Sequence, residues 1–177
     1  MSRQERKPIA EVQRTDPVLV EDGRVGASEQ YLGLDLIAGP FDAPLPDPPN
    51  GAADFSFDGG TLAALRAFIR EYGDAADIER QQVENLVTGV NELAANSVRH
   101  GGGRGTAKLW REDGVLVCEI RDRGKLRRPL APLVGRIKPP TRDLRGRGLW
   151  LANQICDLIQ LRSVPDGTQA RAHVAIA

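Results

Sequence analysis

The stretch NELAANSVRHG, Asn91 to Gly101, places Glu92, Asn96, Arg99 and His100 within nine residues. On a helix Glu92 and Asn96 lie one turn apart, so their side chains project side by side. A carboxylate can orient or deprotonate an attacking group. An amide oxygen suits a hard cation that keeps its waters while bridging phosphates. A solvated polar face would use the same residues on that helix alone. Further along, Leu116, Cys118 and Ile120 share one face of a strand by its period of two, and Asp122 continues that face. A carboxylate there needs a hydrogen-bond donor, or it is costly to keep. Gly146 and Gly148, flanked by Arg145 and Arg147, open another helical pattern. Free N–H groups and the positive end of a helix dipole make an anion site, and the arginines can add charge-assisted bonds to phosphates. Glycines kept only for tight helix–sheet packing are the alternative.

These residues need elements to hold them. A helix is expected over residues 77–99, where Val83, Leu86, Val87, Val90, Leu93 and Ala94 recur at three- and four-residue steps and fill one broad face. Glu92 and Asn96 fall nearly opposite its centre, with Asn85 and Arg99 beside them. Asn91 is expected to contribute little. Gly101 is a natural C-terminal stop. A shorter helix is expected from a Thr61 cap to about Tyr72, ended by Gly73-Asp74, and the alternating ADFSF before it suits a short strand. TAKLWRED and VLVCEIRD, joined at Glu112-Asp113-Gly114, read as a β-hairpin. LIQLRSV and TQARAHVAI form a second around Pro165-Asp166-Gly167. Between the hairpins, residues 123–144 are basic and weakly periodic, a loop long enough to be functional. The order β-α-α-β-β-loop-α-β-β predicts an α+β fold: a two-layer α/β sandwich with a mixed sheet covered on one face by three helices.

Length and charge bound the reading. The 177 residues suit one domain of about 100–150 residues plus a tail. Residues 1–50 are acidic, hold seven of the twelve prolines and read as a tail or linker, disordered or extended, ahead of a domain over 51–177. The apolar piece YLGLDLIAGPF within them is the one part suited to docking. No apolar run approaches the roughly 20 residues of a membrane span, and the polar start has no signal-peptide core, so a cytoplasmic protein is expected. Residues 1–98 carry 8 Lys/Arg against 17 Asp/Glu, a balance of −9; residues 99–147 carry 14 against 5, a balance of +9. That asymmetry implies a local anionic partner or a solvated basic face. Cys118 and Cys156 lie in apolar surroundings with no metal spacing and read as buried free thiols. Trp110, Trp150 and His173 read as packing residues.

In this order the motifs resemble those of the GHKL (histidine-kinase-like) ATPase superfamily, over about residues 53–177. Glu92, Leu93, Asn96 and His100 match its N-box, E-L-x-x-N-x-x-x-H. Asp122 and Gly124 match the first glycine box, D-x-G-x-G, from which the chain departs at Leu126, where the second glycine would stand. Gly146, Gly148 and Leu149 match the second glycine box, and Gly167-Thr168 the G-T pair that begins the last strand. The resemblance implies a Bergerat-type ATP-binding fold with ATP and Mg2+ as cofactors. It implies that Asn96 is the magnesium ligand, that Glu92 is the catalytic carboxylate and that Asp122 reads the adenine amino group. Gly124 would let backbone approach the base. Arg145, Gly146, Arg147, Gly148 and Leu149 would seat phosphates, and Thr168 would bond near the adenine. Arg99 and His100 fall on the phosphate side. The basic loop becomes a short ATP lid, with Lys125, Lys138 and Arg142 as phosphate contacts.

Within the superfamily, residues 1–52 hold no histidine and no long helical pattern to serve as a phospho-acceptor hairpin, and gyrase-type relatives need further domains. The chain resembles most the free-standing bacterial anti-sigma-factor serine/threonine kinases. That resemblance implies a sigma factor and a STAS-type antagonist as partners, phosphoryl transfer to a serine or threonine of the antagonist, and a possible homodimer, with no membrane and no direct nucleic-acid contact. An ATP-binding or degenerate module that only sequesters a partner is the alternative, favoured by Leu126. Nucleic-acid binding through residues 99–147 explains the charge but not Glu92, Asn96 and Asp122 together.

Overall fold

The computed structural model describes residues 18–21, 24–27, 45–124 and 147–176. The chain divides into two compact units, Met1–Ala43 and Pro44–Ala177. In the first, strands β1 (Val18–Glu21) and β2 (Arg24–Ala27) pair antiparallel, Val18 opposite Ala27 and Glu21 opposite Arg24. This strand pair lies within the segment read as a tail or linker, disordered or extended, and the sequence reading did not name it. Its signal is the Asp22-Gly23 dipeptide between two β-prone runs, obscured by the acidic, proline-rich composition around it. The apolar piece at 31–41 lies outside the described residues.

The second unit runs β3 (Ala53–Asp58), α1 (Leu62–Ala75), α2 (Arg80–His100), β4 (Arg104–Glu112), β5 (Val115–Asp122), α3 (Arg147–Ile155), β6 (Leu158–Val164) and β7 (Gly167–Ala175). The five strands form one sheet in the order β3-β4-β5-β7-β6. Every neighbouring pair is antiparallel, where a mixed sheet is expected. The reason is topological. Two helices between β3 and β4 return the chain for an antiparallel entry. The single helix between β5 and β6 makes those strands run the same way, but β7 turns back and inserts between them.

The helices cover one face. Leu116, Cys118 and Ile120 of β5 and Ala170, Ala172 and Val174 of β7 share a core with Leu86, Val90 and Leu93 of α2. The short side chains of Ala107, Ala170 and Ala172 face the helices, and α2 fills the space above them. Glu92 and Asn96 leave this face and are half-buried.

Three local features depart from expectation. The Thr61 hydroxyl does not cap α1; it accepts from Asp58 N at 2.8 Å. Asp58 Oδ1 accepts from Gly60 N and Thr61 N, tightening the strand-to-helix turn. Next, α1 continues through Gly73 and ends at Ala75. Gly73 is buried against α2, where a β-carbon would collide with the Val83 side chain. The chain breaks instead at Asp77, in the left-handed region at φ 51°. Last, Asn91, expected to be idle, accepts from Arg66 Nη1 at 2.8 Å and ties α1 to α2, as does the exposed Arg70–Glu84 pair.

Candidate functional site

Asp122 closes β5 on the helix-facing side, directly opposite Thr168 of β7. Both carboxylate oxygens are engaged. Ser97 of α2, itself buried, donates its hydroxyl to Oδ2 at 2.5 Å, and Gly124 N donates to Oδ1 at 2.7 Å. These are the donors that a carboxylate on an apolar face requires. The Thr168 hydroxyl donates to Gly124 O at 3.1 Å, so Thr168 holds the turn after the carboxylate. Gly101 allows this closeness: a β-carbon there would collide with the Asp122 carboxylate. Arg123 N also donates to Gly101 O, pinning the end of α2 to the end of β5. A cavity of about 1090 Å³ opens at this end of the sheet; Asp122 and Thr168 lie in its wall together with Leu45, Asp47, Arg121 and Gln169, whereas Glu92, Asn96, Ser97 and Gly148 do not line it.

Glu92 and Asn96 occupy the preceding turns of α2. The Glu92 carboxylate lies against the first turn of α3, so close to Gly148 that a β-carbon there would collide with Oε2. The catalytic candidate and the second glycine box therefore meet. Asn96 Oδ1 accepts from Arg99 Nη2 at 3.1 Å, and Arg99 Nε bonds Ala95 O. Arg99 and His100 are exposed in the last turn of α2, where cations complement the helix dipole. Leu149 packs against the core. Lys125, Leu126, Lys138, Arg142, Arg145 and Gly146 lie outside the described residues, as does the lid beyond Gly124.

A magnesium ion fits this arrangement in one way. Among the described residues no group of three or more His, Cys, Asp or Glu could hold a metal. Asn96 offers a single amide oxygen, adequate for a hard cation that takes its remaining ligands from water and phosphate. The Arg99 guanidinium bonded to that oxygen would share it with the ion or give way to it.

A family model described as the histidine kinase-like ATPase domain matches residues 55–174. The chain belongs to that family. Among solved structures, this histidine kinase-like ATPase domain is similar to the crystal structure of the RsbU and RsbW domains of Rv1364c from Mycobacterium tuberculosis. The two share 15% identity at a TM-score of 0.53, over 72% of this chain and 32% of that one. The chain spans about a third of the length of that structure, and the likeness concerns the fold. No curated protein matches the sequence.

Sequence reasoning missed Ser97 as a site residue of this histidine kinase-like ATPase domain. Its signal was available: Ser97 extends the apolar series Val90, Leu93, Ala94 at helical spacing, and a polar residue there needs a reason. The two thiols are buried and free, as expected. Burial pushes Cys156 up to about 12 and Cys118 higher still, so neither is a nucleophile at neutral pH. No helix among the described residues is long and apolar enough to cross a membrane.

Proposed function

We propose that this protein binds Mg-ATP and acts as a regulatory serine/threonine protein kinase of the anti-sigma type, modifying an antagonist protein. The observation that carries the reading is the Asp122 carboxylate, fixed by Ser97 and Gly124 beside Thr168 on the helix-facing side of the sheet. Such a group, with its donors already set, can accept a further bond from an exocyclic amine such as that of adenine. The family resemblance gives Asp122 that role. Asn96 would hold the magnesium ion through its amide oxygen. Gly148 and Arg147, in the first turn of α3, would face the phosphates. Glu92 would take the proton of the incoming hydroxyl. Bound Mg-ATP supplies the phosphoryl group, and the chain's residues position it and manage the proton.

Titration calorimetry with Mg-ATP tests the binding step; no heat at millimolar nucleotide overturns it. Incubation with labelled ATP and candidate antagonist proteins tests the kinase. Label should appear on the antagonist with the native protein and be lost with Glu92→Ala. A second reading, sequestration of a partner with nucleotide bound but not consumed, is favoured by Leu126 and by the Arg99 bond on the Asn96 oxygen. Nucleotide binding without label transfer to any partner that the protein captures supports it.

A further inference from the structure

The sheet face away from the helices carries a charged cluster whose Arg121 and Gln169 border the cavity at the sheet end but lie on the other side of the sheet from Ser97, Glu92 and Asn96. Glu119, 1% exposed, accepts from Arg121 Nε at 2.5 Å, Arg171 Nε at 2.6 Å and Gln169 Nε2 at 2.8 Å. The Arg171 guanidinium also stacks over the Trp110 ring, 5.0 Å from its centroid. Across this cluster runs residues 45–47. Leu45 N donates to Gln169 Oε1 at 3.4 Å, Arg171 Nη2 donates to Pro46 O, and Asp47 pairs with Arg121 at 3.3 Å. Successive residues thus offer an amide, a carbonyl and a carboxylate to three partners on two neighbouring strands.

Those partners are the immediate neighbours of the site residues. In the β5–β7 register Arg121 stands opposite Gln169, and the next pair is Asp122 opposite Thr168. By the alternation of a strand, the first pair points to the outer face and the second to the helices. The segment 45–47 therefore fastens, from behind, the strand ends whose other side presents the Asp122 carboxylate. Strand ends open more readily than strand centres, so the fastening bears on the pocket where it is least held by the core.

Two of the three contacts are weak. Asp47 is 93% exposed and its ion pair is screened by water. The neutral Leu45–Gln169 bond adds a modest net amount and the charge-assisted Arg171–Pro46 bond somewhat more, and ordering the segment opposes them. Pro44, Pro46, Pro48 and Pro49 lower that opposition by restricting the free chain. Such a balance suits a fastening that opens and closes.

We infer that residues 45–47 form a latch on the back of the nucleotide pocket, whose release lowers nucleotide affinity. The inference rests on the nucleotide reading above. Reciprocity follows: nucleotide must tighten the latch by the factor with which the latch tightens nucleotide.

The test uses the full chain and Mg-ATP. In the native protein, amide exchange at Leu45, followed by NMR, should slow when Mg-ATP binds. In a variant combining Leu45→Gly, Pro46→Ser and Asp47→Gly, the calorimetric Kd for Mg-ATP should rise about fivefold or more. Binding of Mg-ATP with unchanged Leu45 exchange in the native protein overturns the latch while leaving the nucleotide reading intact. A variant Kd within about twofold of the native value does the same. No heat with Mg-ATP overturns the nucleotide reading and the latch together.

Discussion

Asp122 is a carboxylate with both oxygens occupied by donors from two other elements, Ser97 of α2 and the backbone at Gly124. The donors fix which way the charge points, and on the proposed reading that charge is what a nucleotide base would meet. Asp122→Asn should therefore raise the Kd for Mg-ATP by about tenfold or more, one decade per 1.4 kcal/mol. Ser97→Ala removes one charge-assisted bond and should cost about fivefold. Calorimetry reads both, with His173→Ala as the control that leaves Kd unchanged. His173 has its own signature. Burial, aided by Arg171 and opposed by Glu112, holds its imidazole below the ordinary value of 6.5, and its Nε2 lies 2.9 Å from Gln160 Oε1. The unfolded chain takes a proton at higher pH than the folded one, so stability rises with pH across that window. The contribution is present above pH 6.5 and lost as pH falls below it. Melting temperature should fall between pH 7 and pH 5 by more in the native protein than in His173→Gln. Sequence reading located Asp122 and its need for donors, because period-two alternation is local. It did not locate Ser97 as the donor, because no local pattern says which helix lies across a strand.

At the scale of elements, α1 and α2 show where local rules stop. Glycine followed by aspartate reads as a helix end. Gly73 instead lies inside α1 because α2 approaches too closely there for any side chain. Gly73→Ala should destabilise the domain by about 1–3 kcal/mol through overpacking. Val83→Ala alone should also destabilise, by removing core methyls. In combination the two should cost less than their sum, since the truncated Val83 makes room for the new methyl. Urea denaturation of the four proteins of that cycle reads the coupling. The hairpins, their turns and α2 were legible because alternation and helical spacing are strong and local. The β1–β2 hairpin was not, since its four-residue strands sit in a proline-rich, acidic segment. The antiparallel sheet was not either, since strand order depends on where β7 inserts.

For the whole domain, the decisive fact is that the last described strand in sequence is an inner strand of the sheet. β7 pairs with β5 on one side and β6 on the other, and it adds Ala170, Ala172 and Val174 to the core. A chain stopped after Val164 loses an inner strand rather than an edge. It should show no cooperative thermal unfolding by circular dichroism, whereas removal of a peripheral strand in another architecture would only lower its melting point. The two-layer architecture itself was legible from element order, and the family match over residues 55–174 coincides with nearly all of it. The same placement has a consequence in time. During synthesis β3, α1, α2, β4, β5, α3 and β6 all emerge before the strand that joins β6 to the rest of the sheet. Thr168 arrives opposite Asp122 only with that strand. A nascent or prematurely terminated chain therefore lacks the hydroxyl that holds the turn after Asp122, and on the proposed reading nucleotide binding follows only once β7 is in place.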